Sequence, residues 1–367
     1  APPGAAPPAP TAAAPPAPAG APPAAAPPAA SAKAAAPSAV STRAPRIEFS
    51  SGRSRATYRQ EELTALGLTP HARQVVGALG FRILSERRSP LLGNRIVAKL
   101  RTPSNQTAQA ALDRVRKALP DVTFDLAHLY RPSGEAGLTR YPAEMIGAVP
   151  VGGCRIDARI GLIDSGVGQH PTLASARITR RTFVDRRAAT NVAHGTAIAS
   201  ILVGDLPGSG ALAPGATIYS ANVFTQDANG LRADALAIVE ALDWMAAQRV
   251  PVVNLSIMGP QNAILEQAVQ AAASRGQILV AAAGNEGPSA GPAFPAAYPA
   301  VIAVAAVDAR GRPYGRNNRG SYVEIAAPGV DVWGADARGG EAYWTGTSFA
   351  TPFVTATLAR AAALGRA

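Results

Sequence analysis

The sequence predicts an α/β protein built on a doubly wound, mostly parallel sheet, preceded by a small α+β module and an Ala/Pro-rich lead. Three observations predict it. Apolar runs alternate with amphipathic helical stretches from about residue 151 to the end. Several of those runs are apolar on consecutive residues, the mark of strands buried on both faces. Composition also breaks the 367-residue chain into three zones, two of them long enough to bury a core.

Residues 1–46 are almost all Ala and Pro. Proline removes backbone donors and alanine offers little to bury, so the expected state is a disordered, extended tether of partly polyproline character. The prolines exclude a membrane span there. Residues 47–130 are expected to hold a leading linker and then the α+β module. His71 to Leu79 reads as a helix, Phe81–Leu84 as a strand, Pro90–Asn94 as a turn and Arg95–Leu100 as a strand. Ala108, Ala111, Leu112, Val115 and Leu119 then fall at helical spacing before Pro120, and Val122 to Tyr130 alternates as a last strand. That order on so few residues predicts a ferredoxin-like module with one sheet face covered. Residues 131–150 read as a Gly/Pro-bearing linker.

In the third zone, 151–367, the expected strands are Arg159–Asp164, Ala216–Phe224, Pro251–Ile257, Gln277–Ala283, Ala300–Val307 and Tyr322–Ala327. Leu231–Gln248 carries Leu236, Val239, Leu242 and Met245 along one helical face, and Ile264–Arg275 reads similarly. Sites in doubly wound folds form beyond the carboxyl ends of the strands. Asp164 and Asn285 fall there.

The net charge is +11, but residues 43–149 carry +8 of it and residues 150–367 only +2. The basic zone has no interleaved aromatic platform, which argues against nucleic-acid binding. Cys154 is the only cysteine, so an intrachain disulfide is impossible.

Four peptides carry chemistry, in this order: Ile163-Asp164-Ser165-Gly166, His194-Gly195-Thr196, Gly284-Asn285-Glu286-Gly287 and Gly346-Thr347-Ser348-Phe349-Ala350-Thr351-Pro352. Alone, Asp-Ser-Gly is an ordinary strand-ending turn and Gly-Asn-Glu-Gly another. Among the four histidines, His71 and His128 belong to the N-terminal module and His170 looks like a loop residue. His194 opens an apolar helix. Ser348 sits in a small-residue turn before the helix Phe349 to Leu364, with Pro352 expected in its first turn. Together an Asp, a His, a side-chain amide and a Ser are the parts of an acyl-transfer centre with a nucleophilic serine.

These peptides closely resemble the subtilisin-like serine peptidases (subtilases), whose triad runs Asp, His, Ser in chain order. The spacings of 30, 91 and 63 residues between Asp164, His194, Asn285 and Ser348 are similar to the family's. The resemblance implies a subtilisin-like fold for 151–367 and a serine endopeptidase. In it Asp164 orients, His194 is base and then acid, Ser348 attacks and Asn285 holds the oxyanion. It also implies substrate binding along Ser256, Ile257 and Met258, with Ala283 and Gly284 across the pocket. Asp125 to Tyr130 resembles the tail of a subtilase propeptide, so residues 47–130 are expected to be an intramolecular inhibitor and folding template. Self-cleavage is expected near Tyr130–Arg131, and residues 131–150 would hold a linker and the start of the mature region. Polypeptide substrates and the chain's own propeptide are the expected partners, in a secreted, cell-envelope or periplasmic setting. No nucleic acid, membrane span, cofactor or metal is implied. The competing reading is a non-catalytic protease-like binding module on the tether, and an esterase would use the same triad.

Three departures qualify the resemblance. Gly204 to Gly210 is short, with one carboxylate, where many subtilases carry a calcium loop. Met258 stands where the family often has glycine. Nineteen residues follow Ser348, so a catalytic domain truncated at its C-terminus is expected.

Overall fold

Thr69 and Thr107 each cap a helix through the side-chain oxygen, accepting from the N–H of Ala72 and of Ala110. These caps fix the two helices of the N-terminal module, α1 (Pro70–Ala78) and α2 (Ala108–Ala118). Its strands are β1 (Tyr58–Leu66), β2 (Arg82–Ser89), β3 (Arg95–Arg101) and β4 (Thr123–Pro132). They pair antiparallel in the order β2-β3-β1-β4. Val76 of α1 and Ala111, Leu112 and Val115 of α2 close over Leu63, Leu100 and Phe124 to form one core. The expected ferredoxin-like order is therefore present, with one strand the sequence reading omitted. The first half of β1 carries Arg59, Glu61 and Glu62 and is largely exposed; only Leu63–Leu66 is buried. A strand buried along half its length shows no clear period.

The computed structural model describes residues 58–132, 155–185, 187–206, 210–228 and 230–365. The Ala/Pro tether, Cys154 and the 131–150 linker past Pro132 lie outside them. The described residues form one compact unit.

The second sheet is wholly parallel. Its strands are β5 (Arg159–Asp164), β6 (Arg177–Thr182), β7 (Thr217–Asn222), β10 (Val252–Leu255), β12 (Ile278–Ala282), β13 (Val301–Val307) and β14 (Val323–Pro328). The order is β14-β13-β12-β10-β5-β7-β6. Helix α3 (Ala193–Val203) and helix α6 (Thr347–Ala363) pack on one face, and α4 (Ala235–Ala247) and α5 (Ala263–Ala273) on the other. The buried faces of these helices meet strands that are apolar on both sides, which is why the strand sequences run apolar without alternation. The chain reverses direction across the sheet at β5 and β10, the crevice where such folds place their sites.

Two short ribbons complete the described fold. Strand β8 (Phe224–Asp227) pairs antiparallel with β9 (Gly230–Asp234), and β15 (Val332–Ala335) with β16 (Glu341–Trp344). The first corrects the sequence reading, which began a helix at Leu231. The helix starts after Asp234, whose carboxylate accepts from the Leu236 N–H as its cap. Strand β6 was also unread. It is an exposed edge strand carrying Arg177, Arg180 and Arg181, charges that discourage further pairing and erase any apolar run. The two-residue strand β11 (Ile257–Met258) belongs to neither ribbon: it pairs with β4 of the N-terminal module.

Candidate active site

Asp164 is the last residue of β5 and is wholly buried. A buried carboxylate must be paired or hydrogen-bonded. Asp164 accepts from His194 Nδ1, 2.9 Å from each oxygen, and from the Ser165 N–H at 2.6 Å. Because Nδ1 faces a carboxylate, it carries the proton, and Nε2 is the basic nitrogen of the neutral ring. The geometry depends on Gly195. A Cβ there would fall 2.1 Å from the Gly166 carbonyl oxygen and 3.1 Å from Asp164 Oδ1. Only glycine lets the start of α3 approach the β5 turn, and the Gly195 N–H donates to Ser165 Oγ at 3.1 Å across that contact.

Ser348 is the second residue of α6, at the positive end of the helix dipole. The His194 ring packs on Phe349, the next residue, at 5.2 Å between centroids. Helix α6 starts two residues before the position expected from sequence, so Pro352 lies in its second turn. Proline has no N–H, and the carbonyl four residues earlier belongs to Ser348. The structure supplies a substitute donor: Ser256 Oγ donates to that carbonyl at 3.0 Å. Ser256 Oγ accepts in turn from Asn254 Nδ2 at 2.8 Å, and Asn254 Oδ1 accepts from Thr355 Oγ1 at 3.1 Å. This buried relay ties the β10–β11 edge to the nucleophile's helix. Ser348 Oγ itself donates to the Ser256 carbonyl at 3.2 Å.

Asn285 follows β12 on a loop that turns at Gly284, whose φ is +112°. The Thr347 N–H donates to Asn285 Oδ1 at 3.0 Å, which fixes the orientation of the amide, so that its NH₂ and not its oxygen is the end able to donate to an oxyanion. Gly284 N–H donates to Thr347 Oγ1 at 3.2 Å, and the Ala283 carbonyl accepts from Tyr322 OH at 2.8 Å. The structure thus brings Asp164 to His194, Asn285 and Gly284 to Thr347, and Ser256 to Ser348. Asn254, Thr355 and Thr347 were not singled out from sequence. The signal was present in Pro352, which leaves the carbonyl of Ser348 without its helical donor.

The other histidines take structural places. His170 is buried, with Nδ1 2.8 Å from Thr172 Oγ1 and Nε2 2.7 Å from the Gly340 carbonyl. His128 is buried where β4 meets α5. Asn262 Oδ1 accepts from Ile264 and Leu265 N–H, so its Nδ2 is the group 3.1 Å from His128 Nδ1. His128 Nδ1 is therefore an acceptor. Burial holds the pKa of His128 below its ordinary value, against a smaller opposing pull from Asp125. Asp125 Oδ2 accepts from the Ala263 N–H at 2.7 Å, capping α5 from the N-terminal module.

Beyond its own sheet, β4 continues between two strands of the second domain. Leu129 and Tyr130 pair antiparallel with Asp234 and Ala233 of β9, while Arg131 and Pro132 pair antiparallel with Met258 and Ile257 of β11. Tyr130 is fully buried against Gly259, where a Cβ would fall 2.3 Å from the Tyr130 ring. Burial and the neighbouring Tyr298 raise the Tyr130 pKa well above the usual phenol range. Arg131 forms an ion pair with Glu286. Among the described residues, no group of three or more His, Cys, Asp or Glu is placed to hold a metal ion.

The Subtilase family profile matches residues 156–364 of this chain. Thermitase of Thermoactinomyces vulgaris is 34% identical over 216 residues, which are 57% of this chain and 76% of thermitase. Minor extracellular protease Epr of Bacillus subtilis (strain 168) is 32% identical over 204 residues, 55% of this chain and 31% of Epr. The chain therefore spans about a third of Epr's length. In fold it is similar to fervidolysin from Fervidobacterium pennivorans, a keratinolytic enzyme related to subtilisin. The TM-score is 0.67 at 20% identity, over 86% of this chain and 56% of that one. With the matched profile covering more than half of its length, this chain belongs to the subtilase family.

Proposed function

We propose that this chain is a serine endopeptidase made as a self-processing zymogen. Ser348 Oγ attacks the carbonyl carbon of the scissile peptide while its proton passes to His194 Nε2, and Asp164 stabilises the imidazolium. The tetrahedral oxyanion is held by the Asn285 amide at the positive end of α6. On collapse, His194 gives the proton to the leaving amine and an acyl-enzyme remains. Water, activated by the same ring, then releases the acid and restores the serine.

The observation that carries the zymogen reading is the register of β4 in the groove. A peptide bound by strand addition adopts this geometry, with main-chain pairing for affinity and side-chain pockets for selection. Residues 58–132 supply that strand from within, so they act as inhibitor and template. The register also supports a particular processing bond. Ser348 Oγ lies on the Ser256 carbonyl, one residue before Ile257, which faces Pro132. Tyr130 and Arg131, near which cleavage is expected from sequence, lie beside Gly259 and Met258, and this register favours the nearby bond that follows the residue after Pro132. Proline suits its place, since the residues opposite each other need not exchange hydrogen bonds at every pair. Ala283 and Gly284 line the side of the pocket opposite Ser256. Secretion or an envelope setting fits this role, and among the described residues no helix is long and apolar enough to cross a membrane.

Intact-mass analysis of purified wild-type and Ser348→Ala protein tests this reading. The wild type should yield two fragments cut between Ser133 and Gly134, and the variant should stay whole. Processing of purified Ser348→Ala at the same bond would overturn it.

A further inference from the structure

The N-terminal module is also held at the edge of its sheet opposite the groove strand. β2 and β4 are the two ends of the order β2-β3-β1-β4, three strand spacings or about 14 Å apart. The hairpin between β2 and β3 sits on α4 and α5. Glu240 and Asp243 are three residues apart on α4 and share a face, and the helix carries no Lys or Arg. They take two sides of the Arg87 guanidinium: Asp243 Oδ2 accepts from Nη1 at 2.6 Å, and Glu240 Oε1 lies 2.9 Å from Nε. Asp243 Oδ1 also accepts from Ser89 Oγ at 2.9 Å and from the Leu91 N–H at 2.8 Å. Just past α5, Arg275 donates to the carbonyls of Pro90 and Leu91 at 2.9 and 2.6 Å. Leu91 and Leu92 are buried in the core that α4 and α5 share. Arg88 alone turns away, donating to the Asn94 carbonyl. An exposed ion pair contributes little by itself, but here two carboxylates and a guanidinium converge on one short segment over an apolar floor. A cavity of about 430 Å³ remains between the two leucines and Gln267, Gln270 and Ala271 of α5, so the seat is wider than the hairpin that fills it.

We propose that this face of α4 and α5 is a second peptide-binding site of the mature enzyme, an exosite that captures polypeptide substrates carrying an Arg-X-Ser-Pro-Leu segment away from the cut. The inference rests on the endopeptidase reading and adds to it a second place where substrates are held. The hairpin is the built-in occupant, so the exosite is closed in the zymogen. When the module leaves, Glu240, Asp243 and Arg275 face solvent together with an apolar seat, the combination that marks an interaction surface.

Two measurements test it. Two peptides share one cleavable sequence and a flexible Gly/Ser linker of about 20 residues, whose mean span is about 25 Å. One ends in Arg-Arg-Ser-Pro-Leu-Leu and the other in the same residues scrambled. With processed enzyme the ordered segment should lower KM about tenfold at unchanged kcat, the effect of a charge-assisted contact. Asp243→Asn should remove that advantage and leave cleavage of the scrambled peptide as it was. Equal KM values for the two peptides would overturn the proposal while leaving the endopeptidase reading intact, whereas cleavage of neither would overturn that reading and the exosite with it. The second measurement needs no activity. In full-length Ser348→Ala protein, Asp243→Ala should speed hydrogen exchange at the Leu91 N–H at least tenfold, with exchange along β4 unchanged. A Leu91 N–H that exchanges no faster, or a loss of protection spread equally over β4, would overturn the separate seat.

Discussion

Replacing Ser256 by alanine is the perturbation that exposes how the nucleophile is held. Ser256 Oγ has two buried partners, the Ser348 carbonyl, to which it donates, and Asn254 Nδ2, from which it accepts. Pro352 cannot donate to that carbonyl. Ser256→Ala therefore strands two buried polar groups. At about 1–3 kcal/mol for each group left unsatisfied, the expected loss of stability is about 2–6 kcal/mol. A second substitution separates the two costs. Pro352→Ala restores an N–H four residues beyond Ser348, so in that background Ser256→Ala should cost about 1–3 kcal/mol less. The assay is urea unfolding of Ser348→Ala protein, in which processing does not intervene, with all four combinations at positions 256 and 352. Full additivity of the two substitutions would refute the reasoning, because it would show that the Ser348 carbonyl never depended on the Ser256 hydroxyl.

Three further outcomes follow from the same geometry. Asn285→Ala should lower kcat by about 10²–10³, the loss seen when such a donor is removed from a subtilisin, with KM little changed; an unchanged kcat would remove Asn285 from the oxyanion site. Gly195→Ala places a methyl against the Gly166 carbonyl, and should cost about 1–3 kcal/mol in stability and separate His194 from Asp164, read as lost peptidase activity in the surviving folded fraction. Docking of β4 should weaken in acid. The pKa of His128 is lower in the docked state than in the free chain, so its contribution is fully present above the ordinary histidine value of about 6.5 and is lost as pH falls below it. Urea midpoints of Ser348→Ala protein should fall from pH 7.5 to 5.5, with a shallower fall in His128→Gln; identical slopes would contradict the assignment.

Much of this was legible in the residues. β5 ends at Asp164 as its apolar run indicates, and the buried strands β10, β12 and β13 fall within a residue or two of their expected bounds. Runs of apolar residues are a local signal, and the parallel sheet is made of them. The hairpin β8–β9 was read as the start of a helix because Leu231 continues the helical period of α4, and only the Asp234 cap marks the true start. At the site, the four peptides carried the resemblance to the family, whereas the relay through Asn254, Ser256 and Thr355 was hidden, because its members lie in separate segments of the chain and each is an ordinary polar residue alone. The register of β4 was beyond sequence reasoning as well. A tail resembling a propeptide places a strand in the groove, but the pairing of Pro132 with Ile257 depends on where β9 and β11 lie.

The central claim is that Ser348 is a nucleophile activated by His194 and covered by the chain's own strand. Labelling with a serine-directed fluorophosphonate, with the adduct located by peptide mass spectrometry, tests it most directly. The account predicts one adduct, on Ser348, in processed wild-type protein, sharply reduced in His194→Ala. An adduct on another residue, or undiminished labelling of Ser348 without the histidine, would contradict it.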